Sequence, residues 1–137
     1  MRTMRVLFVC LGNICRSPAA EAALRALHPD WEIDSAGIGQ YHLGNPPHPP
    51  MVAEARAQGL DLSTQRARQV KPADFARFDR VIAMDAPVLE ILQSMRGGEM
   101  AEHFGTATGI GIDVPDPYYT GDDAGTLAVI REGVARL

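Results

Sequence analysis

Arg5-Val6-Leu7-Phe8-Val9-Cys10-Leu11-Gly12-Asn13-Ile14-Cys15-Arg16-Ser17-Pro18 is the stretch that decides the fold. Arg5 to Val9 is a compact run of branched and aromatic residues, too short for a helix, and reads as a buried strand. Cys10 to Ser17 must turn sharply, and Gly12 and Asn13 are residues that tolerate positive φ. Ser17 then reads as an N-cap and Pro18 as the first residue of a helix. Glu21 would lie near its first turn, where the dipole favours a carboxylate, and Ala19 to Leu27 continue as strong helix formers. The opening is strand, tight polar loop, helix.

The same reading extends along the chain. Trp31 to Ala36 is a second strand, ended by Gly37 and Gly39, and the proline-rich Asn45 to Pro50 is an irregular loop. Met51 to Gln58 is a helix closed by Gly59. Phe78 to Met84 holds a third buried strand, and Ala86 to Met95 is a helix with Pro87 in its first turn. Ala101 to Phe104 forms a last short strand, Gly105 to Gly121 a long loop, and Asp123 to Leu137 a terminal helix. Loops of that length in a compact domain are usually functional or disordered. Strands alternating with helices call for an α/β fold with a parallel sheet and helices on both faces. No repeat or boundary divides residues 1–137, so one domain is expected. Translation could start at Met1 or at Met4.

Composition narrows the function classes. At 46% hydrophobic and 22% charged residues, the chain reads as globular rather than disordered. A net charge of -4 argues against a nucleic-acid binder held by phosphate contacts. No run approaches the roughly 20 apolar residues of a membrane span, and the N-terminus makes a poor signal peptide, so a cytoplasmic protein is expected. Cys10 and Cys15 are too few and too close for a disulfide framework. His28, His42, His48 and His103 lack ligand-like spacing, so no metal is expected and each reads as a surface or loop residue.

The loop itself carries chemistry. In open parallel sheets ligands bind at the carboxyl ends of strands, and a helix N-terminus there offers free N–H groups and a positive dipole end. A loop curled at that point makes an anion nest, into which Arg16 would bring a two-pronged grip on a phosphoryl group. Helix N-termini and nearby cations favour thiolate, which makes Cys10 a nucleophile beneath the phosphorus. Ser17 stands where it can donate to that sulfur. Cys15 either fills space behind the loop or forms a reversible bridge with Cys10 under oxidation. Far along the chain, Asp116 between Pro115 and Pro117 has a stiffened backbone and little competing secondary structure. It suits an acid on a mobile loop that protonates a leaving group.

These stretches resemble the low-molecular-weight protein tyrosine phosphatases. The likeness covers Val6 to Pro18, Ile33-Asp34-Ser35-Ala36-Gly37, Arg66-Ala67-Arg68-Gln69, Met84-Asp85 and Pro115-Asp116-Pro117-Tyr118-Tyr119, in that family's order. It implies a four-stranded doubly wound parallel sheet in three αβα layers, a phosphocysteine intermediate on Cys10, and no metal or cofactor. Asp116 would be general acid and then general base, so activity should peak at mildly acidic pH. Leu11, Gly12, Asn13, Ile14, Cys15 and Ser17 would surround the phosphate. Tyr118 and Tyr119 would wall the entrance, with Tyr41 opposite. Asn13 and Ser35 would hold the loop in shape, and Asp85 would orient Arg16. The implied partner is a phosphotyrosine protein, including a bacterial tyrosine kinase, with phosphate as product and inhibitor.

Departures from the family pattern are Gln65, where many members have histidine, and Val88, where asparagine is common. The terminal helix is also shorter than in many members. An arsenate reductase of this type relays a disulfide through later cysteines, and this chain has none after Cys15. A protein-arginine phosphatase often has threonine in place of Ile14 and lacks the paired tyrosines. A non-catalytic phosphate binder would have lost the nucleophile or the acid.

Overall fold

A computed structural model describes residues 3–137, so the alternative start at Met1 lies outside the described residues. Four strands form one parallel sheet: β1 (Arg5–Cys10), β2 (Glu32–Gly37), β3 (Arg80–Ala83) and β4 (Glu102–His103), in spatial order β2-β1-β3-β4. After β2 the chain crosses to the other side of β1. The order therefore reverses at the carboxyl end of β1, where Cys10 sits opposite Gly37.

Side-chain alternation along β1 builds the layers. Val6, Phe8 and Cys10 join one core cluster, and Leu7 and Val9 join the other. The first cluster is covered by α1 (Arg16–Leu27), α2 (Pro49–Ala57), α5 (Phe104–Thr108) and α7 (Asp123–Val134). The second is covered by α3 (Pro72–Arg77) and α4 (Ala86–Ser94). This is the expected three-layer αβα arrangement. Val6, Leu7, Phe8 and Val9 are essentially solvent-free, and burial of each stabilises the fold by about 1.5–3 kcal/mol.

α1 is buried from Arg16 to Leu24 because it is enclosed between the sheet and α7. α7 buries Thr126, Leu127, Ile130, Gly133 and Val134, a helical stripe. Gly133 meets α5 so closely that an added Cβ would lie 2.3 Å from Phe104 Cζ.

Several boundaries differ from the sequence reading. α1 begins at Arg16 with Cys15 in the N-cap position and no side-chain cap, so Ser17 is a helical residue. Glu21 is consequently beyond the first turn and buried. Pro49 and Pro50, assigned to an irregular loop, open α2, because proline lacks only an N–H that a first turn leaves free. The strand read as Phe78 to Met84 is limited to Arg80–Ala83, where pairing with β1 occurs. The last strand, read as Ala101 to Phe104, is only Glu102–His103, and the stretch from Phe104 on, read as a long loop from Gly105, holds α5 and a single turn, α6 (Pro117–Thr120). Neither α3 nor the 3-10 turn Gly98–Met100 was anticipated. α7 ends at Val134, three residues before the expected end.

Candidate active site

Everything at the site hangs on one left-handed residue. Asn13, at φ 57°, is the single non-glycine residue with positive φ among those described, whereas Gly12 does not need the freedom it was expected to use. The turn brings Asn13 against β2, where a Cβ on Gly37 would lie 3.0 Å from Asn13 Cβ and 3.1 Å from its nitrogen. Asn13 is held on all sides. Its Oδ1 accepts from Arg68 N–H at 2.9 Å, and its Nδ2 donates to Ser17 Oγ at 2.9 Å and Ser35 Oγ at 3.0 Å. The Ser35 hydroxyl then donates to Glu21 Oε1 at 2.7 Å. Glu21 therefore anchors the loop from within α1, not through the helix dipole.

This chain ends on sulfur. Ser17 Oγ stands 3.0 Å from Cys10 Sγ, and Asn13 N–H donates to the same sulfur at 3.2 Å. Because Ser17 Oγ already accepts from Asn13, its own proton is available to the sulfur, with Ala36 O a longer alternative at 3.4 Å. The N–H groups of Gly12, Ile14 and Cys15 donate to nothing among the described residues. They are unspent donors at the start of α1.

Arg16 closes the loop with a side chain only 4% exposed. Its Nη1 donates to Asp85 Oδ2 at 2.6 Å and to Val114 O at 3.1 Å, and Nη2 reaches Asp116 Oδ2 at 3.4 Å. Burial alone would lower the Arg16 pKa, but Cys10, Asp85 and Asp116 outweigh it and the net shift is upward. Arg16 is a fixed cation. Asp85 is itself fixed as N-cap of α4, accepting from Val88 N–H at 2.8 Å. Val88 thus contributes its backbone where family members often have asparagine.

Asp116 lies in extended backbone outside any helix or strand, as its flanking prolines implied. It caps α6, with Oδ1 accepting from Tyr118 N–H at 3.1 Å while Oδ2 faces Arg16. Leu11, Gly12, Ile14, Cys15, Tyr41, Tyr118 and Tyr119 line the cavity above Cys10, Arg16 and Asp116. Tyr41 is 95% exposed and stands free on the rim. Asn13, Ser17 and Ser35 lie beneath, outside the cavity lining.

Two histidines read as ordinary belong to the site's surroundings. His42 lines the cavity and abuts Gly12, where an added Cβ would lie 3.0 Å from its ring. His48 precedes α2, packs its ring 5.2 Å from Tyr118, and donates its N–H to Ile14 O at 2.8 Å. Only their closeness to Tyr41 and to the proline-rich loop pointed toward them. Gln65 donates to Pro18 O at 3.1 Å, and its buried Oε1 has no partner among the described residues.

Cys15 is buried against Ile14 and Ala67, and both cysteines are free thiols. Burial, then Cys10, Asp116 and Asp123, pushes the Cys15 thiol up to about 12 despite Arg16 nearby. Among the described residues no cluster of three His, Cys, Asp or Glu side chains could hold a metal ion, and no helix is long and apolar enough to cross a membrane.

A doubly wound sheet with a thiol, a buried guanidinium and free N–H donors at its switch point defines a protein built to act on an oxyanion. Residues 5–137 match the family described as low molecular weight phosphotyrosine protein phosphatase. The low molecular weight protein-tyrosine-phosphatase YfkJ of Bacillus subtilis is 43% identical over 143 residues, covering 96% of this chain and 92% of that protein. Its crystal structure superimposes with a TM-score of 0.91 over 99% of this chain and 92% of that one, at 40% identity. Vibrio vulnificus Wzb, solved with benzylphosphonate, gives 0.89 at 26% identity over 98% and 96% of the two chains. The Drosophila arginine phosphatase DARP gives 0.87 at 31% identity over 97% and 94%. The chain belongs to the low-molecular-weight protein tyrosine phosphatases and is a phosphatase.

Proposed function

We propose that this enzyme hydrolyses phosphotyrosine in proteins through a phosphocysteine on Cys10. The observation that carries the reading is the convergence on one cavity of the Cys10 sulfur, the buried Arg16 cation and the Asp116 carboxyl. In the first step the Cys10 thiolate attacks phosphorus, forming the S–P bond as the P–O bond to the tyrosine breaks. Arg16 and the free loop N–H groups stabilise the equatorial oxygens, and Asp116 gives its proton to the departing phenolate. In the second step Asp116 takes a proton from water, the resulting nucleophile attacks phosphorus, and the thiolate leaves with inorganic phosphate released. The Ser17 hydroxyl supports the sulfur at both ends of this cycle. No step requires a cofactor. Tyr41, Tyr118 and Tyr119 supply aromatic walls for a phenyl ring, and the apolar Ile14 suits it better than a guanidinium. Phosphotyrosine proteins in the cytoplasm, tyrosine kinases of a bacterial cell among them, are the substrates this favours, with phosphate a competitive product.

The test is hydrolysis of para-nitrophenyl phosphate in EDTA, wild type against Cys10→Ser, with phosphotyrosyl and phosphoarginyl peptides compared in parallel. Turnover that survives chelation, vanishes in the variant and prefers the phosphotyrosyl peptide is expected. Full activity of Cys10→Ser would eliminate the phosphocysteine, and preference for phosphoarginine would reassign the substrate.

A further inference from the structure

Besides its two bonds to Arg16, the segment that carries Asp116 is tied to the body at three places. Val114 N–H donates to Met84 O at 2.9 Å, and the buried Thr126 hydroxyl of α7 donates to Pro115 O at 3.1 Å. The third tie is made by side chains that the mechanism above does not use. Asp113 Oδ1 accepts from Ala86 N–H at 3.0 Å and lies 2.5 Å from His103 Nε2.

The tautomer of His103 follows from its other contact. Its Nδ1 accepts from Thr106 N–H at 3.2 Å, so the ring proton is on Nε2 and points at Asp113. Asp113 therefore joins the end of β4, the first turn of α4 and the start of the acid-bearing segment. Both neighbours in sequence matter. Ala86 follows Asp85, which grips Arg16, and Val114 O accepts from that same Arg16. The His103 and Asp113 side chains are 16% and 47% exposed, and such a half-solvated pair adds little to global stability. Its effect is on position.

We infer that Asp113, oriented by His103, is a positioning residue that sets where Asp116 stands over the Cys10 loop. This rests on the phosphocysteine reading with Asp116 as the acid. Releasing Asp113 leaves the Val114 and Thr126 ties intact, so the fold persists while the acid loses one of its fixed points. Proton donation is sensitive to displacement on the ångström scale. The cost falls on substrates that need the proton most.

The experiment compares benzyl phosphate, whose alkoxide leaves poorly without a proton, with para-nitrophenyl phosphate, whose phenolate leaves readily. In Asp113→Ala, kcat/KM should fall about tenfold on benzyl phosphate and about twofold or less on para-nitrophenyl phosphate, a part of the roughly 10²–10⁴-fold that a general acid contributes, since Asp116 is displaced and not removed. Asp113→Asn keeps an oxygen for Ala86 N–H and His103 and should recover most of the loss. His103→Ala, which spares Asp113 itself, should shift the substrate ratio in the same direction by a smaller factor, and it carries the test if Asp113→Ala does not fold by circular dichroism. An unchanged ratio in both alanine variants, or equal losses in Asp113→Ala and Asp113→Asn, would overturn the inference. Wild type inactive on para-nitrophenyl phosphate, or active as Cys10→Ser, would instead remove the reading beneath it.

Discussion

At the scale of single residues, Cys10 and Cys15 share a loop and differ in surroundings. Both reach the cavity, but Cys10 sits between Ser17 Oγ and Asn13 N–H, while the buried Cys15 has its thiol held up to about 12. A thiol protonated throughout the neutral range is inert to alkylation. One equivalent of iodoacetate at pH 7 should therefore modify Cys10 alone, with phosphate slowing the reaction. Peptide mapping that found Cys15 equally carboxymethylated would contradict this assignment. Cys10, Arg16 and Asp116 were legible because their chemistry sits in two short stretches whose residue types have few other uses together. Ser17 and Glu21 were misplaced for a local reason. A serine before proline scores as a cap, so the place of Ser17 inside the helix was not legible, while its contact with the Cys10 sulfur was. The Glu21 partner is Ser35, whose approach depends on strand pairing.

Elements show a similar division. β1 was readable from its apolar run, α1 from its string of helix formers, and α4 from the Asp85 cap and the proline in its first turn. α5 and α6 were not, since Phe104–Thr108 and Pro117–Thr120 are five and four residues long and rich in residues that favour turns. Their helical form is imposed from outside: α5 by packing under Gly133, α6 by the cap that Asp116 provides. The α5–α7 contact makes a testable demand. Gly133→Ala puts a methyl 2.3 Å from the Phe104 ring, so the helices must separate. Overpacking of this kind costs about 1–3 kcal/mol, to be read from the urea midpoint. A midpoint equal to wild type would show that the two helices move apart freely.

For the molecule as a whole, the buried Glu21 links the site to stability. Burial raises its pKa above the ordinary value of 4.5, against the opposing pull of Ser35 and Arg25. The folded protein then binds a proton that the unfolded chain has released. Stability contributed at this position is full below pH 4.5 and is lost as pH rises through the raised value. Glu21→Gln keeps an acceptor for Ser35 and has no proton to lose. Urea unfolding at a series of pH values should show the wild type losing stability relative to Glu21→Gln as pH rises across that window. Parallel slopes would mean that Glu21 titrates alike in both states.

The contact between Arg16 and Asp116 spans 100 positions of chain. On a ribosome the thiol loop emerges long before the segment with the acid, and α7, which encloses α1, emerges later still. An unfinished chain thus carries the thiol loop without the carboxylate that stands over it, and without the helix that encloses α1, so the site exists only once both distant segments have been made.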